Sequence, residues 1–150
     1  MAVKELGINK KAYHDYEILD KYEAGISLLG TEIKSLRKGK VQLKESYVSF
    51  KDGEAFVKGM NIAQYDQGNR FNHEETRDRK LLLHKSEINK LANKVKLQGL
   101  TVIPLKVYLK DGKAKLEIAL AKGKTLYDKR ESDKARSMKR EAQKAMRRTV

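Results

Sequence analysis

Apolar and polar residues alternate along much of this chain with the two-residue period of half-buried strands. From Thr101 to Lys110 the period puts Ile103, Leu105, Val107 and Leu109 on one face. From Lys115 to Ala121 it sets Leu116, Ile118 and Leu120 against Lys115 and Glu117. Asp111-Gly112 between them predicts a hairpin, because both turn residues must take positive φ and this pair tolerates it. The same signal, Asp52-Gly53, joins Tyr47–Lys51 to Ala55–Ile62. A further strand is predicted over Tyr13–Tyr22, with Tyr16, Ile18 and Tyr22 on one face. Glu23-Ala24-Gly25 breaks it, and Gly25 marks a bulge or a close approach of backbone. Pro104, the one proline, is expected at an edge or end of a sheet, since it has no N–H to give to a ladder.

Helical spacing marks two further segments. Within Ser86–Gly99, Ile88, Leu91, Ala92 and Val95 recur at i, i+3, i+4 and i+7, with Ser86 as cap and Gly99 as stop. A shorter helix is predicted from Thr31 to Gly39, with Thr31 as cap and Glu32 at the positive end of the dipole. Leu29, Ile33 and Leu36 would face the core, and Lys34, Arg37 and Lys38 would share the opposite side. Residues 1–12 read as a loose polar end, and residues 63–79 as a long exposed loop ending in Arg77 and Arg79. Short strands, two hairpins and two or three helices in about 120 residues suit a mainly β fold, an antiparallel barrel of the OB type with flanking helices.

Charge changes this picture. The net charge is +14, which raises self-repulsion unless a polyanion is at hand. From Lys122 to Val150 there are 11 Lys/Arg and 4 Asp/Glu, so 29 residues carry half of it. A basic arm thus follows a moderately basic body, the footprint of a nucleic-acid partner. In residues 131–150, Ala135, Met138, Ala142, Ala145 and Met146 form only a thin apolar stripe opposite Arg136, Arg140, Lys144 and Arg147. That area is too small for firm docking, and a lone helix of this length is marginal in water. The tail is predicted to be disordered when free and helical against phosphates; cooperative melting of a free tail by circular dichroism would overturn this.

No chemistry of bond-making stands out. Cysteine is absent, which excludes disulfides and thiolate metal sites, and His14, His73 and His84 lack ligand spacing. No P-loop, dinucleotide fingerprint or nucleophile elbow occurs. No apolar run approaches a membrane span, and the first residues lack a signal-peptide core, so a cytoplasmic protein with no membrane partner is expected. A binding protein without catalytic residues, metal or cofactor is favoured, and a monomer in isolation is expected. Around Lys122-Gly-Lys124 the glycine lets backbone come close to a phosphate chain, while Lys34, Arg37, Lys122 and Lys124 are candidate phosphate contacts.

Several runs carry a resemblance: Asn9-Lys-Lys-Ala-Tyr-His14, Tyr22-Glu-Ala-Gly-Ile26, Gly30-Thr-Glu-Ile-Lys-Ser-Leu-Arg37, Arg79-Lys-Leu-Leu-Leu-His84 and Ala121-Lys-Gly-Lys-Thr-Leu-Tyr-Asp-Lys-Arg130. In this order they resemble the SsrA-binding protein family, small protein B, of bacterial trans-translation. The resemblance implies an OB-type body, residues 1–130, that binds the tRNA-like domain of transfer-messenger RNA. It implies a tail, residues 131–150, that lies in the empty mRNA channel of a stalled ribosome. Elongation factor Tu would travel in the delivered complex, and the barrel would stand in for the missing anticodon arm.

Carried over by motif, His14, Glu23, Gly25, Leu82 and Lys115 match positions tied to RNA binding. Tyr127, Asp128, Lys129 and Arg130 match the motif that reaches the small-subunit decoding centre. Arg136, Lys139, Arg140, Lys144 and Arg147 would be the channel-facing cations. Glu23 would accept from a base amino group or a 2′-OH, or else form a structural ion pair. Leu82 would offer an apolar platform, or else lie in the core. Tyr127 would stack on a base or pack on the barrel. The competing readings are a ribosomal protein or general RNA chaperone with a basic OB barrel and, from another class, an enzyme acting on RNA.

Overall fold

The computed structural model describes residues 3–65 and 72–124. The first element is a strand, β1 (Val3–Ile8), where the sequence pattern reads as a loose end. It pairs antiparallel with β8 (Thr101–Lys110), from Val3↔Lys110 to Ile8↔Lys106. Its alternation is hidden because Val3 and Ile8 are exposed and Gly7 stands where a side chain would meet Val41 Cγ1 at 3.1 Å. Asn9 then ends the strand. Its N–H bonds Leu105 O at 2.7 Å, its amide reaches Pro104 O at 3.0 Å, and its Oδ1 caps α1 (Lys10–Asp15) by accepting from Ala12 N.

β2 (Tyr16–Ile26) runs through Glu23-Ala-Gly instead of breaking there. It pairs along its length with β9 (Lys113–Gly123) and at its end with β7 (Arg79–Leu82). The two Asp-Gly hairpins form as predicted: β4 (Tyr47–Lys51) with β5 (Glu54–Lys58), and β8 with β9. Asp52, Gly53, Asp111 and Gly112 all take positive φ, between 50° and 79°. β5 stops at Lys58, and a separate β6 (Asn61–Ile62) pairs with β3 (Val41–Gln42).

The main sheet runs β1-β8-β4-β5-β7-β2-β9, and β9 returns to β8. Six strands therefore close a ring, with β1 added outside β8. This is the expected OB-type barrel, all antiparallel, with three helices around it among the described residues. Pro104 lies within β8, not at an edge. It falls between the stretch paired with β1 and the single β4 pair, Val48↔Val102.

The barrel core holds Ala24, Ile26, Val57, Leu81, Val102, Val107, Leu116, Ile118 and Leu120. Two bulges divide the strands' apolar faces. One lies between Ile18 and Asp20 on β2, the other between Pro104 and Lys106 on β8. Each extra residue reverses the pleat. Tyr16 and Ile18 therefore pack with Ile103, Leu105, Ala119, Ala121 and the α1 residue Ala12 in a second cluster, while Tyr22 and Val107 belong to the first. The single faces read from the sequence are thus split.

α3 (Lys85–Gln98) buries Ile88 and Leu91 and ends at Gly99 in the left-handed region, φ 64°. Its cap position is His84, not Ser86, and the Glu87 carboxylate takes the His84 N–H at 3.2 Å. α2 (Gly30–Arg37) has Leu29 at the cap position, two residues before the expected Thr31. Its inner face is Glu32, Ser35 and Leu36, whereas Leu29 is exposed. Glu32 accepts from Leu29 N at 2.7 Å, Arg77 Nη2 at 2.7 Å and Arg79 Nε at 2.6 Å. The segment after Asn72 is therefore not a plain exposed loop. Arg79 is fully buried and donates to Met60 O, and His73 is buried between Thr31 Oγ1 and Ile62 O.

Candidate nucleic-acid interface

Four of the sequence-selected residues meet in one open groove of about 770 Å³ on the outside of the barrel: Glu23, Gly25, Leu82 and Lys115. Sheet register explains the meeting. Gly25 faces Leu82 across β2–β7 and Lys115 across β2–β9, so the three form one row. Leu81 points into the core and the pleat turns Leu82 outward, 57% exposed. Leu82 is therefore exposed in the groove and does not lie in the core. Gly25 is small for a reason of space: a Cβ there would stand 3.2 Å from Leu82 Cβ and 3.3 Å from Leu82 Cδ1. Its lack of a side chain keeps the middle of the row low, between an apolar ledge and an ammonium.

Glu23 lies in the neighbouring row. The Tyr108 hydroxyl donates to Glu23 Oε2, and Lys110 Nζ lies 3.6 Å from Oε1. The Tyr108 hydrogen bond chiefly, with Lys110 and Lys115 nearby, holds the Glu23 carboxyl below its ordinary range against the opposing effect of burial. Burial, reinforced by Glu23, pushes the Tyr108 phenol well above its own. The carboxylate is thus ionised, oriented and still 40% exposed, so it retains lone pairs for an incoming donor. Glu23 thus has internal partners, as the structural alternative expects, and it also faces the groove. Elsewhere in the groove Lys80 is paired with Glu54 at 2.9 Å. Its cations and anions are therefore nearly balanced, which suits reading of base or ribose groups more than bulk attraction to phosphate.

The other candidates lie apart. His14, on α1, is bonded to Asp15 Oδ1 at 3.0 Å. Lys124 N bonds Asp15 O, and Lys122 faces Glu17 across β2–β9, so His14, Lys122 and Lys124 gather at the far end of β2. Eight residues of strand separate Glu17 from Gly25, roughly 26 Å at the usual rise. Lys34 and Arg37 project from the exposed side of α2. Lys34 and Lys38 stand 5.6 Å and 4.9 Å from the Tyr65 ring centroid, a cation–π arrangement. Tyr127, Asp128, Lys129, Arg130 and the tail cations Arg136, Lys139, Arg140, Lys144 and Arg147 lie outside the described residues, as do residues 66–71 of the loop.

Sequence reasoning missed Tyr108 and Lys110, which orient Glu23, and Lys85, which lines the groove. Tyr108 carried a signal: an aromatic on the polar pleat of a strand, between the core residue Val107 and Leu109. Among the described residues no group of three or more His, Asp or Glu could hold a metal ion. No helix among them is long and apolar enough to cross a membrane.

Fold and groove define the class: an OB-type barrel that presents a lined groove on its outer face. The SmpB protein family profile matches residues 6–148 of the chain. An SsrA-binding protein of a Sulfurihydrogenibium species is 58% identical over 145 residues, 97% of this chain and 95% of the relative. That of Carboxydothermus hydrogenoformans is 54% identical over 144 residues, 96% and 97% of the two chains. A solved structure described as "tmRNA-SmpB: a journey to the center of the bacterial ribosome" is similar with a TM-score of 0.68 and 50% identity, over 80% of this chain and 85% of that one. The chain belongs to the SmpB family.

Proposed function

We propose that the protein binds the tRNA-like domain of transfer-messenger RNA and brings it to stalled ribosomes, without catalysing any bond change itself. The observation that carries the reading is the convergence of Glu23, Gly25, Leu82 and Lys115, up to 92 positions apart, on one groove in a member of the SmpB family. Leu82 takes the flat face of an unstacked base, Glu23 accepts from a base amino group or 2′-OH, and Lys115 meets the adjoining phosphate. Lys34, Arg37, Lys122 and Lys124 hold the RNA backbone at the flanks, and His14 lies beside the last two. The barrel fills the place of the anticodon arm, and residues 127–130 reach the decoding centre. The cations of residues 131–150 follow the empty mRNA channel. Elongation factor Tu accompanies the complex, and the work is done in the bacterial cytoplasm.

The test is competition at near-physiological salt. Labelled tRNA-like domain is bound to the protein and challenged with excess elongator tRNA and with duplex RNA. Retention of the label supports reading of one tRNA-like shape. Equal displacement by both competitors would leave only charge, and the reading as a general RNA chaperone would replace this one.

A further inference from the structure

A groove of about 500 Å³ runs between the second half of α3 and strands β4 and β8, lined by Val48, Phe50, Ala92, Val95, Leu100 and Val102. Phe50 and Val95 are only partly buried against the core, so an apolar face stays open there. The one charged residue in the lining is Lys96, exposed and without an ion-pair partner among the described residues. The chain leaves the barrel beside this groove. Thr101, also in the lining, pairs with Ala121, and the same register sets Gly123, the end of β9, level with Gly99, where α3 stops. On that last turn of α3, Leu97 is 80% exposed, so apolar surface is offered on the side of the exit as well.

We propose that this groove is the docking site, in the free protein, of the segment Leu126-Tyr127-Asp128 of the same chain. Residues 125–150 lie beyond the described part, and only Thr125 separates Lys124 from Leu126. Two residues of extended chain span about 7 Å. So short a tether gives the segment a high effective concentration at the groove and leaves little loop entropy to lose. Leu126 and Tyr127 are the first large apolar side chains after Leu120, and the groove has an apolar floor for them. Charge sets the order: Asp128 follows the apolar pair, and Lys96 awaits an anion at the rim. A second copy of the chain fits less well, since a partner of charge +14 would bring like charge to that lysine. The two alternatives for Tyr127, stacking on a base and packing on the barrel, then belong to two states of one chain. Docking stows the motif on the body until a stronger partner takes it. That its release serves the decoding centre rests on the function proposed above; the docked state itself does not.

The test is nuclear Overhauser spectroscopy on the full chain, free of RNA and labelled at its methyl groups. Leu126 methyl and Tyr127 ring protons should show contacts to the Ala92 and Val95 methyl groups. Leu126→Ser combined with Tyr127→Ser, a change outside the barrel strands, should shift the Ala92 and Val95 signals and leave those of Leu82, in the other groove, where they were. Lys96→Glu should weaken the contacts several-fold, and adding Asp128→Lys to it should restore them. Absence of the contacts in the free chain would overturn the proposal. Contacts that arise only between molecules, in a mixture of labelled and unlabelled chains, would overturn it too and give the groove to a second copy.

Discussion

Glu23 places a carboxylate in a groove assigned to a polyanion, and its repulsion is tempered by Tyr108, Lys110 and Lys115. Because the folded state holds its pKa below the ordinary value, this pairing contributes stability above the ordinary carboxylate range and loses it as pH falls through the folded pKa. Tyr108→Phe should raise the Glu23 pKa toward its usual value, read by carboxyl NMR titration. It should weaken binding of the tRNA-like domain by about fivefold, the order of one hydrogen bond near 1 kcal/mol, with the larger loss in mild acid. An unmoved Glu23 titration would remove Tyr108 from the site. Gly25 is a question of tenths of an ångström. Gly25→Ala meets Leu82 Cδ1, which can rotate away, and Leu82 Cβ, which needs a shift of tenths of an ångström between β2 and β7, so the protein should melt a few degrees below the parent. Its RNA affinity should nevertheless fall, because the ledge has moved; unchanged affinity would mean that Leu82 bears no base.

Between elements, α2 is fastened to the barrel by a buried ion pair, where the sequence pattern expects apolar packing. Burial raises the Glu32 pKa, but hydrogen bonds from Arg77 and Leu29 N–H, with Arg79, bring it below the ordinary carboxylate value. The sign is that of a depressed acid: the latch is complete above the unfolded pKa and fails as pH drops through the folded one. Arg79→Met should cost up to about 3–5 kcal/mol in urea melts at neutral pH, since a fully buried carboxylate then keeps only Arg77 and the Leu29 N–H as partners. Glu32→Leu added to it should recover part of that loss. If Arg79→Met alone is neutral, the latch is not what holds α2. The contrast with α3 explains what was legible. α3 announced itself by apolar spacing and a terminal glycine. The two Asp-Gly turns and the alternation of Leu116, Ile118 and Leu120 were equally plain. Glu32 and Arg79 were not, because charged residues enter a core only as partners and the partner is 47 positions away. The bulges were also invisible: an inserted residue leaves the composition of a strand intact while reversing its faces. In the groove, motif resemblance marked Leu82 and Lys115, but only register showed that Gly25 lies between them.

Across the whole molecule, the proposed RNA contacts fall at two ends of one long strand pair, β2–β9, joined by a rigid ladder. In the proposed function, specific reading falls to the Leu82 end, where charges are nearly balanced, and electrostatic hold to the Lys122–Lys124 end, where the segment with half of the net charge begins. The two should separate in a salt titration. Replacing Lys122 and Lys124 with alanine should reduce the slope of log K against log salt by about 1.4–1.8, the release of two counterions, and weaken specific and unspecific RNA alike. Leu82→Ala should leave that slope unchanged while narrowing the preference for the tRNA-like domain over elongator tRNA. Ending the chain after Arg130 should spare affinity for the isolated RNA and abolish tagging on stalled ribosomes. A chain that binds RNA normally and still tags without residues 131–150 would refute the tail's assignment, and one that loses RNA binding altogether would refute the division into body and tail. A lysine pair whose removal shifts preference but not slope would exchange the roles of the two ends, and the groove at Leu82 would then be the electrostatic anchor.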